Sequence, residues 1–133
     1  MFTFDIKNVN LVVGGQIITG FAEGSVINAE KLEDNFSEHV GVKGEVTIAE
    51  TNNETGEITV NLKNTSPSVS YLNSLANKKG ESAIVDVAIV DLNTNGTQIS
   101  GSRCRVRKPA DVELGNEETE REFVIFVSDY TVS

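Results

Sequence analysis

Apolar and polar residues alternate with a period of two along most of this chain, and turn-forming residues interrupt the alternation at short intervals. That pattern commits a chain to half-buried strands, because successive side chains of a strand point to opposite faces. The clearest run is Glu57–Lys63, where Ile58, Val60 and Leu62 alternate with Glu57, Thr59, Asn61 and Lys63. Gly44–Glu50 repeats it, with Val46 and Ile48 against Glu45, Thr47 and Ala49. The residues between them, Asn52-Asn53-Glu54-Thr55-Gly56, favour a turn. The two runs are therefore expected to form one hairpin with a buried face and a polar face.

Other segments read the same way. Phe2, Phe4 and Ile6, then Val9, Leu11 and Val13 after a shift at Lys7-Asn8, lead into Gly14-Gly15. Two glycines take positive φ at no steric cost, so a tight turn and a return strand over Gln16–Phe21 are expected. Ile84–Asp91 is an apolar strand, expected to be central; Asn93-Thr94-Asn95-Gly96 is its turn, and Thr97–Arg107 returns until Pro109. Ala110–Glu120 is acidic and loop-like. Arg121–Tyr130 closes the chain, with Phe123, Ile125 and Val127 alternating with Val124, Phe126 and Ser128.

Two segments depart from period two. Ser66-Pro67 is a helix start, since serine caps free amides and proline at the first helical position has no amide to leave unpaired. Val69, Leu72, Leu75 and Ala76 supply the apolar stripe, and Gly80 suits the stop. Gly24–Val40 is two-sided. Ala29, Leu32, Phe36 and Val40 fit a helix capped by Asn28, and a strand over Ser25–Leu32 with an exposed loop over Glu33–Val40 fits as well. The sum is about seven or eight strands and one helix: a mainly antiparallel β-sandwich or half-barrel with one flanking α-helix. At 133 residues a single domain, 1–133, is expected.

Charge narrows the function. The net charge is −9, with 20 acidic against 11 basic residues. Such a chain repels phosphate backbones and anionic membranes at long range. One cysteine excludes an internal disulfide, and no apolar run approaches the roughly 20 residues of a membrane-spanning helix. The opening Met1–Lys7 does not read as a signal peptide.

Candidate chemistry is thin. His39 is the only histidine, with no second histidine or cysteine close by to complete a zinc site. Cys104 shares a strand face with Ser102 and Val106, which suggests core rather than a nucleophile. Arg103, Arg105 and Arg107 form a basic stripe, read as ion-pairing with Asp86, with acidic residues of Ala110–Glu120 or with a neighbouring subunit. Asp91–Gly96 faintly matches the start of a calcium loop, but Ser102 stands where its closing glutamate belongs. Neither glycine pair matches a phosphate loop. The expectations are no enzyme, no catalytic residues, no metal and no cofactor.

The ordered set of motifs resembles a known family. The residues that carry the likeness are Gly14-Gly15, Ile18–Gly24, Val40–Thr47, Thr55–Ser68, Lys108-Pro109-Ala110-Asp111 and Arg121-Glu122-Phe123. The chain looks like the small tail tube proteins of contractile-tailed phages and phage tail-like particles; at Phe123 a tryptophan is more typical. The resemblance implies homohexameric rings that stack into a hollow tube, with strands of all subunits joining one ring-wide barrel. Double-stranded DNA passes through the lumen without specific binding. Sheath, baseplate or initiator, and terminator proteins are the implied partners, with no membrane. The implied location is the virion tail, assembled in the host bacterial cytoplasm.

For Gly24–Val40 the resemblance favours strand plus loop. Glu33, Asp34, Phe36, Glu38 and His39 then become candidates for an inter-subunit loop. Glu45, Thr47, Glu57, Thr59 and Asn61, the polar face of the expected hairpin, become candidate lumen residues. Two alternatives stand beside this reading. One is another ring-forming tail component, a tube initiator or terminator. The other is a β-sandwich binding or adhesive module, against which the scarcity of aromatic residues counts.

Overall fold

The computed structural model describes residues 9–22, 27–92, 98–115 and 119–132. Among these, ten strands and one α-helix follow one another: β1 (Val9–Val13), β2 (Gln16–Ile17), β3 (Asn28–Lys31), β4 (Phe36–Val40), β5 (Val46–Glu50), β6 (Gly56–Lys63), α1 (Pro67–Asn77), β7 (Val85–Asp91), β8 (Gln98–Val106), β9 (Glu120–Val127) and β10 (Thr131–Val132). A single 3-10 turn, Gly80–Ala83, links α1 to β7.

Eight strands form one antiparallel sheet in the order β2-β1-β7-β8-β9-β6-β3, with β10 beside β8; β4 and β5 form a separate two-stranded sheet. The sheets do not close, which gives the expected mainly β fold with a flanking helix. The large sheet buries one face along its central strands. Leu11 and Val13, Ile58, Val60 and Leu62, Val87 and Ile89, and Phe123, Ile125 and Val127 all belong to one core. Val69, Leu72 and Leu75 of α1 belong to the same cluster, so the helix covers this face.

The helix starts where serine and proline place it. The Ser66 hydroxyl accepts from the Ser68 amide at 3.2 Å and donates to the Thr19 carbonyl at 2.6 Å, so the cap also ties α1 to the strand-free segment after β2. The Gly14-Gly15 turn has φ of 59° and 83°, as the paired glycines require. The returning strand is shorter than expected, since β2 ends at Ile17. The expected Phe2–Ile6 strand and the Asn93–Gly96 turn, with most of the calcium-like stretch, lie outside the described residues.

Two expectations are corrected. Gly24–Val40 is not a helix in its described part: Asn28–Lys31 pairs with β6 and Phe36–Val40 with β5. Gly44–Glu50 and Glu57–Lys63 do not form a hairpin with each other. β5 pairs with β4, whereas β6 lies between β9 and β3. Alternation marks both segments as strands but names no partner, and the turn-like residues 51–55 serve instead as the return from β5 to the large sheet.

Candidate assembly surfaces

The β4–β5 pair is an arm. Every residue of both strands is exposed. Phe36 faces Glu50, Glu38 faces Ile48 and Val40 faces Val46 across the pair, so these six share one face. Ser37, His39, Thr47 and Ala49 share the other. The first face is mainly apolar, yet Phe36, Val40, Val46 and Ile48 are 47%, 60%, 60% and 59% exposed. At its base the Thr51 amide donates to the Asn35 carbonyl (2.8 Å) and the Leu32 amide to the Thr55 carbonyl (3.0 Å). At its tip the Gly41 amide donates to the Glu45 carbonyl (2.7 Å) and Gly44 takes φ of 88°. An isolated two-stranded ribbon is marginal in water, and an uncovered apolar face marks an interaction site.

Of the inter-subunit loop candidates, Glu33 and Asp34 lie between β3 and β4. Phe36, Glu38 and His39 lie in β4 itself, a strand and not a loop. The lumen candidates divide as well. Glu57, Thr59 and Asn61 occupy the non-core face of β6, beside Phe126, Val124 and Glu122 of β9 and Glu30 and Asn28 of β3. Glu45 and Thr47 belong to the arm, so the single polar face expected of all five residues does not exist.

Arg103 and Arg105 of the stripe are exposed on β8, where Cys104 and Val106 are buried, and Arg107 follows the end of the strand. Its partners are not Asp86. Arg103 lies 3.8 Å from Glu81, Arg107 pairs with Glu57 and stacks over Phe126 at 5.1 Å, and Arg105 donates to the Lys78 carbonyl (3.1 Å) beyond the end of α1. A proposed wall residue, Glu57, is thus already neutralised by an arginine of the same chain.

Cys104 is 1% exposed. Burial first, then the nearby Asp129 and Asp86 charges, push its thiol up to about 12 despite a backbone hydrogen bond at Val87. A thiol held protonated is no nucleophile. Among the described residues no group of three or more His, Cys, Asp and Glu side chains gathers as metal ligands, and no helix is long and apolar enough to cross a membrane.

The family model described as Bacteriophage PhiTE tail tube protein matches residues 2–119. The chain belongs to this tail tube family. It is therefore a structural component of a tail-type particle, in a family whose members are structural proteins rather than enzymes. No curated protein sequence matches it significantly. Solved structures share the fold at low identity. The anti-feeding prophage tube-terminating cap superposes with a TM-score of 0.63 at 14% identity, covering 100% of this chain and 92% of the cap chain. The sheath–tube complex of the PVC extracellular contractile injection system gives 0.60 at 14% identity, covering 98% and 91%. The sheath/tube terminator of the same system gives 0.62 at 12% identity, covering 100% and 98%.

What reasoning from sequence missed in this tail tube chain is the apolar face of the arm. Val46 and Ile48 were expected to be buried in the way Ile58 and Val60 are. A signal was present: Glu38 sits between Phe36 and Val40 on one face, whereas Ile58, Val60 and Leu62 run without a charge.

Proposed function

We propose that the chain is a tail tube subunit that closes into homohexameric rings, and that the rings stack through the β4–β5 arm. The observation that carries this is the arm itself. Fully burying a Val, Ile or Phe side chain contributes about 1.5–3 kcal/mol, and four such residues on one face leave roughly half of that unrealised in a single chain. A neighbouring subunit supplies the cover. The outer strands of the large sheet among the described residues, β2 and β3, are joining edges in the same reading, since closure of a ring removes exposed strand edges. Family membership supports a tube, and the fold shared with both tube and terminator chains leaves a terminator as the second reading.

In this assembly Glu57, Thr59 and Asn61, with Glu30 and Glu122 beside them, line the bore, while Glu45 and Thr47 lie on the arms. Glu30 and Glu122 carry the wall's negative charge, since Glu57 is paired with Arg107, and a polar, acidic wall repels the phosphate backbone, so DNA passes without sticking. Sheath, baseplate and terminator proteins are the partners such a tube requires. Electron microscopy of the purified protein tests the reading. Hollow polymers with β6's polar face at the bore are expected; single rings without polymers favour the terminator, and a chain that stays monomeric at high concentration overturns both.

A further inference from the structure

Every residue of β4 and β5 is exposed, so the arm's direction is not set along its length. It is set where the chain enters and leaves the arm, at residues 32–35 and 51–55. Backbone hydrogen bonds join these two connections to each other, from Thr51 to Asn35 and from Leu32 to Thr55. Asn53 shapes the outgoing connection from within, its side-chain oxygen accepting from the Thr55 amide (3.0 Å) and the Thr55 hydroxyl (2.7 Å). None of these bonds fixes the pair of connections to the large sheet. A ribbon held by them alone would pivot as a unit.

Tyr130 supplies that fixing. Its amide donates to the Glu54 carbonyl at 2.9 Å, inside the outgoing connection. Its ring lies over Gly56, the first residue of β6, where the chain enters the large sheet. Gly56 is in phase with Ile58, Val60 and Leu62, so a side chain there would point into the core. A Cβ on Gly56 would stand 2.5 Å from Cγ and Cδ2 of Tyr130, closer than side-chain carbons come. The ring therefore occupies the room that the missing side chain leaves, and it packs against the core cluster.

The segment that carries Tyr130 is itself held. Ser128 donates to the Arg103 carbonyl through its amide (3.1 Å) and its hydroxyl (2.6 Å), Asp129 accepts from Ser102 and Arg103, and Thr131 and Val132 pair with β8. Gly101 of β8 makes room on that side, since a Cβ there would collide with Val127 and lie 3.3 Å from Asp129 Oδ1. Glycines on two different strands thus leave space for one segment. We propose that residues 128–132 are a strap that clamps the arm to the large sheet through Tyr130, and that its release lets the arm pivot while the sheet stays folded. An arm fixed at folding meets a neighbour already oriented, whereas a pivoting arm loses that freedom on contact. This consequence rests on the subunit reading above; the clamp does not.

Spin labels test the clamp on the full chain, kept below the concentration at which it assembles. Val42→Cys at the arm's tip and Ser70→Cys on α1 take the labels, since both positions are exposed and the buried Cys104 stays unlabelled. A narrow distance distribution is expected with Tyr130 in place. Tyr130→Phe keeps the ring and the amide and should leave it narrow. Tyr130→Ala, and Gly56→Ala, which expels the ring from the other side, should each widen it roughly twofold and speed hydrogen exchange at the amide of residue 130 about tenfold. Exchange in the middle of β6 should rise by no more than the change in urea stability of the same variants accounts for. A distribution that stays narrow in both alanine variants overturns the clamp, and so does one already broad in the unsubstituted background, a result that needs no variant to fold. Either leaves the tube reading standing, because the measurement is made on single chains. Failure of the wild-type chain to self-associate removes the tube reading and not the clamp.

Discussion

β5 and β6 carry the same alternation and meet opposite fates. In β6, Ile58, Val60 and Leu62 are at most 1% exposed, flanked by β9 and β3 and packed in a core that α1 shares. In β5, Val46 and Ile48 are about as exposed as bound, and only β4 lies beside them. A period of two says that a strand has two different faces. It does not say whether the cover for the apolar face comes from the same chain. For β6 the cover is intramolecular, and for β5 the described residues of the chain supply none.

The sharpest way to break that comparison is to make the arm polar without unfolding it. Val46→Thr with Ile48→Thr keeps β-branched, strand-compatible side chains while removing the apolar face. Sedimentation and electron microscopy are expected to show complete loss of polymer. The thermal or urea stability of the single chain should stay within about 0.5 kcal/mol of wild type, as for surface substitutions generally. A large loss of single-chain stability would mean that the arm packs on its own subunit.

The reciprocal experiment lies in the large sheet. Phe123 is fully buried and pairs with Val60 near the middle of β9. Phe123→Ala is expected to cost about 3–5 kcal/mol in urea unfolding of the single chain, from lost transfer energy plus the cavity left behind. Polymer would fail only because folded subunit is scarce, so stabilising solutes should restore it, which they should not do for the arm variant.

How much was legible in advance follows the same division. Strand positions, the Ser66 cap, the Gly14-Gly15 turn and the inward phase of Phe123, Ile125 and Val127 follow from local chemistry, and local chemistry is what a sequence displays. Partner choice is not local. Gly56 begins a strand that pairs with Val127, some seventy positions away, and nothing within residues 44–63 distinguishes that from a hairpin. The arm's bare face left one local sign, the charge of Glu38 between Phe36 and Val40, and nothing more, since the surface proposed to cover it belongs to another molecule. The Arg107–Glu57 pair was missed because β9 lies between β6, which carries Glu57, and β8, whose end Arg107 follows.

The smallest expected effect concerns a place where the large sheet depends on a side chain instead of a ladder. β8 pairs with β10 at Ile99 and Ser100 and with β9 from Cys104, leaving a gap on that edge. Asp129 fills it, accepting from the Ser102 amide (2.9 Å), the Ser102 hydroxyl (2.5 Å) and the Arg103 amide (3.1 Å). Burial alone pushes this carboxyl up, but the hydrogen bonds from Ser102 and Arg103 outweigh it and hold the pKa below the ordinary aspartate value. A depressed folded-state pKa contributes stability that is present above the unfolded value, about 3.9, and is lost as pH falls through the folded one. Asp129→Asn keeps the shape and removes the titration. Its stability should fall less steeply than wild type below about pH 4, with a loss at neutral pH smaller than that of Phe123→Ala. Superimposable acid limbs for the two proteins would show that the gap in β8 is held by something other than this carboxylate.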